Sequence, residues 1–103
     1  MKQLDLVQVK QIFNRLFDHM IETRGVRYCE LNEDYYWHVS SPERYNVAET
    51  PELDIGSLYD DWDFVSGILD SDDSPVAYQL TELAPIIRYI GEEIGTKQAQ
   101  YGG

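Results

Sequence analysis

Val26-Arg27-Tyr28-Cys29-Glu30-Leu31-Asn32-Glu33-Asp34-Tyr35-Tyr36-Trp37-His38-Val39-Ser40 is the stretch on which the fold turns. It holds two β-prone runs, 26–31 and 35–40, divided by Asn32-Glu33-Asp34, a pattern that predicts an antiparallel hairpin. Cross-strand neighbours share a face, and a one-residue slip inverts every side chain, so polarity selects the register. A three-residue loop sets Leu31 opposite Tyr35, Cys29 opposite Trp37 and Arg27 opposite Val39, which collects an apolar face. The other face then carries Tyr28, Glu30, Tyr36 and His38. A two-residue loop would place Glu30 opposite Trp37, a worse match.

Upstream of the hairpin, Leu6, Val9, Phe13, Leu16, Phe17, Met20 and Ile21 recur every three or four positions and predict an amphipathic helix. Arg24-Gly25 ends it with a cation followed by glycine. Downstream, residues 41–56 contain Pro42, Pro51 and Gly56 and read as a surface connection, with Leu53 and Ile55 able to form a short strand. Ser57 is the expected N-cap of a second helix over Leu58–Leu69, with Leu58, Trp62, Val65 and Leu69 as its core face. Asp60, Asp61 and Asp63 suit the positive end of that helix. After an Asp70-Ser71-Asp72-Asp73 turn, Ser74-Pro75 opens a third helix whose stripe is Val76, Leu80, Leu83, Ile87, Ile90 and Ile94. Pro85 is expected to kink or split it, with Thr81 as an alternative start.

The expected class is therefore α+β, with the order α-β-β-α-α: a short antiparallel hairpin covered on one face by three amphipathic helices. Residues 1–95 are expected to form one globular domain and 96–103 a polar tail that frays. A chain of 103 residues fits a single domain, since domains commonly run to about 100–150 residues. Hydrophobic residues at 43% and charged residues at 26% exclude wholesale disorder and fibrous repeats. No apolar run approaches the roughly 20 residues that span a bilayer, the N-terminus lacks the pattern of a secretory signal, and a lone Cys29 fits a reducing compartment. The expected location is the cytoplasm.

Charge is distributed unevenly. The formal net charge is −11, yet residues 1–29 carry Lys2, Lys10, Arg15, Arg24 and Arg27 against Asp5, Asp18 and Glu22. Residues 30–82 hold 14 acids and only Arg44, a net of −13. Such a balance repels phosphate backbones and anionic lipid and favours a basic partner.

Catalytic and metal-binding motifs fail one by one. Cys29 and His38 invite a nucleophile–base reading, but the hairpin register sets them on opposite faces, and Cys29 reads better as a small buried hydrophobe. Two histidines, His19 and His38, and one cysteine write no zinc spacing. Asp70, Asp72 and Asp73 resemble the start of a calcium loop, but Pro75 stands where glycine is needed and Thr81 where glutamate is needed. Asp60, Asp61 and Asp63 have no phosphate-cradling loop beside them and are better explained by the helix N-terminus. No catalytic, cofactor or metal residue is expected; a buried carboxylate pair in a cleft would reopen the catalytic reading.

The aromatics speak more clearly. Tyr35, Tyr36, Trp37, Tyr45, Tyr59 and Trp62 cluster within the acidic segment. Trp37 and Trp62 fall on expected core faces and are assigned to packing. Tyr36, Tyr45 and Tyr59, with Asp34, Asp60, Asp61 and Asp63, make an expected partner-binding set: carboxylates with aromatic anchors, suited to a basic protein surface.

Asp34-Tyr35-Tyr36-Trp37 with Arg44-Tyr45 downstream, then Ile55-Gly56-Ser57-Leu58-Tyr59-Asp60-Asp61-Trp62 and the closing Leu83–Gly91 helix, resembles small acidic bacterial proteins of unassigned function. The resemblance covers residues 30–95, implies a bacterial source and supplies no catalytic residue. The leading expectation is a non-enzymatic interaction module for a basic protein, at its sharp end an immunity or antitoxin-type inhibitor or a DNA mimic. The alternative is a structural homodimer or complex subunit, built through free hairpin edges, whose acidic surface only confers solubility.

Overall fold

The computed structural model describes residues 2–39, 44–45, 50 and 52–100, the side chains of 96–100 excepted. Ser40, Pro42, Pro51 and the last three tail residues therefore lie outside the described residues. The chain falls into two compact units, Met1–Glu30 and Leu31–Gly103.

The first unit is built on helix α1, Leu6–Asp18, continued by a π-helical turn over His19–Thr23. Asp5 caps the helix by accepting from the amides of Val7 and Gln8 through Oδ1, at 2.9 and 3.4 Å. At the other end Gly25 takes a φ of +69°, the left-handed conformation glycine adopts without steric cost. That turn lets the Val26 amide donate to the Met20 carbonyl and the Arg24 amide to that of His19, satisfying carbonyls the helix leaves open. Phe13 and Phe17, one turn apart, stack at 4.5 Å between ring centroids.

The second unit has the expected α+β class, but its hairpin is not the one the local sequence favours. Strand β1, Tyr35–Val39, pairs antiparallel with β2, Leu53–Ser57, and residues 26–31 form no strand. The register sets Tyr35 opposite Ser57, Tyr36 opposite Gly56, Trp37 opposite Ile55, His38 opposite Asp54 and Val39 opposite Leu53. The physical reason lies at the end of β2, which runs straight into helix α2, Leu58–Ser66. The Leu58 amide donates to the Asp34 carbonyl at 2.7 Å, and Asp34 Oδ1 accepts from the Ser57 hydroxyl and the Tyr59 amide at 2.8 and 3.0 Å. Ser57 in turn caps α2 by accepting from the Asp60 amide, as expected. Pairing β1 with β2 thus completes the ladder and the helix start together, which a tight hairpin to residues 26–31 would not do.

Beyond α2 come two 3₁₀ turns, Gly67–Asp70 and Ala77–Gln79, and helix α3, Leu80–Gln100. Ser74-Pro75 does not open α3. The Gln79 side chain closes the turn before it by accepting from the Val76 amide at 2.9 Å. Helix α3 runs through Pro85 without dividing and continues past Gly95 to Gln100. The α2 helix ends at Ser66, so the expected fourth stripe position, Leu69, lies in the 3₁₀ turn and is exposed.

Both packed helices use much of the face their apolar spacing implies, with Leu58 and Val65 buried on α2 and Leu83, Ile87, Ile90 and Ile94 half-buried on α3, but each adds a neighbouring position. The buried positions of α2 are Leu58, Asp61 and Val65, so a carboxylate takes the place expected of Trp62, which is 47% exposed. On α3 the most buried residue is Ile86, beside the half-buried Ile87, and Leu80 is exposed. Leu58, Val65 and Ile86 are the buried apolar side chains among the described residues, each contributing about 1.5–3 kcal/mol.

Candidate functional site

A cluster of ionisable side chains comes together beneath the hairpin. Tyr36 and His38 lie two apart on β1 and therefore share a face, with their rings edge to face at 6.4 Å. From there the Tyr36 hydroxyl donates to Asp61 Oδ2 at 2.7 Å. Gly56 makes this reach feasible: opposite Tyr36 in the ladder, it lies under the ring, and any Cβ there would collide with Cζ, Cε2 and the hydroxyl oxygen. Asp61 is 7% exposed and is the buried charged side chain of the described residues. A buried carboxylate is stable only with donors around it, and Tyr36 is one.

Glu82 on α3 is the next member. Its hydrogen bond to Asp61, then burial and the Asp61 charge, hold its carboxyl above the usual carboxylate range, while His38 pulls the other way. When Glu82 carries its proton it donates to Asp61, so the buried carboxylate accepts from two sides. Burial first, then the bond to Asp61, push the Tyr36 phenol well above its ordinary value; the charges of Asp61 and Glu82 add to this and Arg44 opposes it. The cluster therefore clasps β1, α2 and α3 to one another.

Asp61 and Glu82 are a carboxyl pair of which only Asp61 is buried, and the pair does not face the described cavity. That cavity, about 540 Å³, lies between α2 and α3 and is lined by Trp62, Val65, Leu69, Val76, Leu80 and Leu83 among others, without Asp61 or Glu82. Among the described residues no group of three or more His, Cys, Asp and Glu is placed to hold a metal ion. Cys29, half-buried rather than fully so, belongs to the first unit and His38 to the second.

The expected partner-binding residues separate by position. Asp34, Tyr36 and Asp61 point inward and are engaged: Asp34 in the start of α2, Tyr36 and Asp61 with each other. Tyr45, Tyr59, Asp60 and Asp63 are exposed. The Tyr59 hydroxyl also donates to the Leu31 carbonyl at 3.3 Å, and the Asn32 amide donates to the Tyr89 hydroxyl at 2.9 Å, so two tyrosines hold the chain leading into β1.

What the expected set omits is the opposite face of the hairpin. Because Tyr36 and His38 turn toward the helices, Tyr35 and Trp37 turn away and are each 71% exposed. On β2 their neighbours Leu53 and Ile55 are exposed too, Ile55 at 68%. The assignment of Trp37 to the core is thus corrected: alternation along 35–39 was right, but the polar side is the covered one. The signal that could have found it is Gly56, a residue without a side chain at the one position where Tyr36 needs room.

No family model, curated protein or solved structure matches this chain.

Proposed function

We propose that this chain is a non-enzymatic interaction module whose Leu31–Gly103 unit binds a basic protein through the outward face of its hairpin. The observation that carries the reading is that face: Tyr35, Trp37, Leu53 and Ile55 stand exposed on a two-stranded sheet within the segment that holds the molecule's excess of acid. Exposed aromatic and aliphatic groups gathered on one face are what interface anchors require, since burying them against a partner releases the water that covers them. Asp60 and Asp63, exposed in the first two turns of α2, and Glu33, exposed before β1, supply carboxylates nearby in the chain. They steer a cationic partner and set its orientation more than its affinity. Asp34 and Asp61 are spent on the fold, so the binding set becomes Tyr35, Trp37, Ile55, Asp60 and Asp63.

An inhibitor of the immunity or antitoxin kind, whose carboxylates cover a basic cleft, is the sharpest form of this proposal. We place it in a bacterial cytoplasm, on the strength of the lone cysteine and of the resemblance in residues 30–95; no helix among the described residues is long and apolar enough to cross a membrane.

The test is affinity capture from a bacterial lysate at low and high salt, run in parallel with Trp37→Ser and with the double variant Asp60→Asn/Asp63→Asn. The proposal expects a basic protein that is retained at low salt, lost with Trp37→Ser, and weakened with flattened salt dependence in the double variant. Recovery of the bait alone at both salts, or capture indifferent to Trp37→Ser, overturns it.

A further inference from the structure

We infer that α1 pairs in parallel with α1 of a second copy of this chain, through residues other than those of the proposed hairpin interface. Along α1, Leu6, Phe13 and Met20 fall at one position of a seven-residue repeat and Val9 and Leu16 at the other apolar position. Leu6, Val9, Phe13 and Leu16 are exposed. Ile12, also exposed, and Phe17, half-exposed, widen the stripe on either side, and the Phe13–Phe17 stack fixes two of its rings. A helix with a continuous apolar stripe in water is stabilised chiefly by whatever covers that stripe.

Charge selects the occupant and its direction. In a parallel pair, the residue just before one core position faces the residue five places further along in the partner helix. Here that relation joins Asp5 to the partner's Lys10, and by the twofold axis Lys10 to the partner's Asp5; the next such pair is Ile12 with Phe17, apolar on both sides. Asp5 caps its own helix through Oδ1, and a carboxylate has a second oxygen for the lysine. In an antiparallel pair with Leu6 beside Leu16, Lys10 faces the partner's Lys10 and Ile12 the partner's Ile12, so like charges meet instead of opposite ones. The repeat spans nearly two heptads of α1 and meets the π-helical turn at His19, so the interface is short and the dimer dissociates on dilution.

Sedimentation equilibrium of the full chain over a wide concentration range is the test. The expected result is a monomer–dimer equilibrium that Phe13→Asp weakens by at least about tenfold and Lys10→Glu weakens by a smaller factor, with Gln11→Asp, on the far side of the helix, leaving it unchanged. Cross-linking keeps the proposal testable should Phe13→Asp misfold: in a Cys29→Ser background, Leu16→Cys forms an intermolecular disulfide under mild oxidation, because parallel pairing sets each residue 16 beside its twin. A monomer at every concentration, including one that instead sediments with anionic vesicles, overturns the inference. So does a dimer that survives Phe13→Asp, or one in which Leu16→Cys fails to cross-link.

Discussion

The two faces of the β1–β2 hairpin are built from residues that alternate along the same few positions, yet they do opposite things. Tyr36 and His38 face inward onto Asp61 and Glu82; Tyr35, Trp37, Leu53 and Ile55 face outward. In most two-layer folds the apolar side of a sheet is buried and the polar side is wet. Here a hydrogen-bonded polar cluster closes the sheet onto the helices, and the apolar side is left for another surface. A polar clasp is directional where an apolar one is not. It fixes which strand pairs with which, at the cost of a small core.

That contrast predicts that the inward face governs stability and the outward face governs binding. The largest effect belongs to Gly56→Ala. Its methyl would displace the Tyr36 ring, break the bond to Asp61 and leave a buried carboxylate short of a donor, so urea unfolding is expected to show a loss of about 2–4 kcal/mol. Tyr36→Phe keeps the ring and removes only the hydroxyl. The expected loss is about 1.5–3 kcal/mol, the usual worth of a hydrogen bond to a charged group. If Tyr36→Phe were neutral, the clasp would not be what closes the sheet.

Glu82→Gln sharpens the comparison through pH. The folded Glu82 carboxyl titrates above its ordinary value of 4.5, so the folded state holds that proton longer than the unfolded chain does. The associated stability is fully present below about 4.5 and is lost as pH rises through the raised folded value. Wild-type protein should therefore lose stability across that window, against the usual acid trend, with Asp61 and Tyr36 the groups that face Glu82 most closely and His38 opposing. Glu82→Gln, which keeps a donor for Asp61, should flatten this dependence and be modestly more stable at neutral pH, as thermal melts at stepped pH would reveal. The smallest stability effect is expected for Trp37→Ser on the outward face, within about 0.5 kcal/mol of wild type, with retained far-ultraviolet dichroism and lost partner capture.

What the amino-acid sequence discloses here is mostly what is local. The α1 helix itself, the glycine that stops it and the Ser57 cap are each decided within a few residues and are found, though the apolar stripe of α1 is exposed. The strand partner is not local. β2 lies 13 residues beyond β1, and its claim rests on Asp34 joining the start of α2 and on Gly56 leaving room for Tyr36, neither of which enters a polarity pattern. The helix faces are found largely as read, Leu58 and Val65 buried and Leu83, Ile87, Ile90 and Ile94 half-buried, but periodicity weighs Trp62 above its neighbour Asp61, and Asp61 is the buried one because Tyr36 donates to it. Of the expected binding residues, sequence alone could not separate Asp60 from Asp61, adjacent acids of which one is exposed and the other buried.

Proton–proton nuclear Overhauser effects from the Tyr36 ring test the inverted hairpin most directly. The account predicts strong effects to the Gly56 α-protons, with those protons shifted upfield by the ring above them, and backbone effects linking Trp37 to Ile55. Effects linking Tyr35 to Leu31 and Trp37 to Cys29, with none between Tyr36 and Gly56, would contradict it.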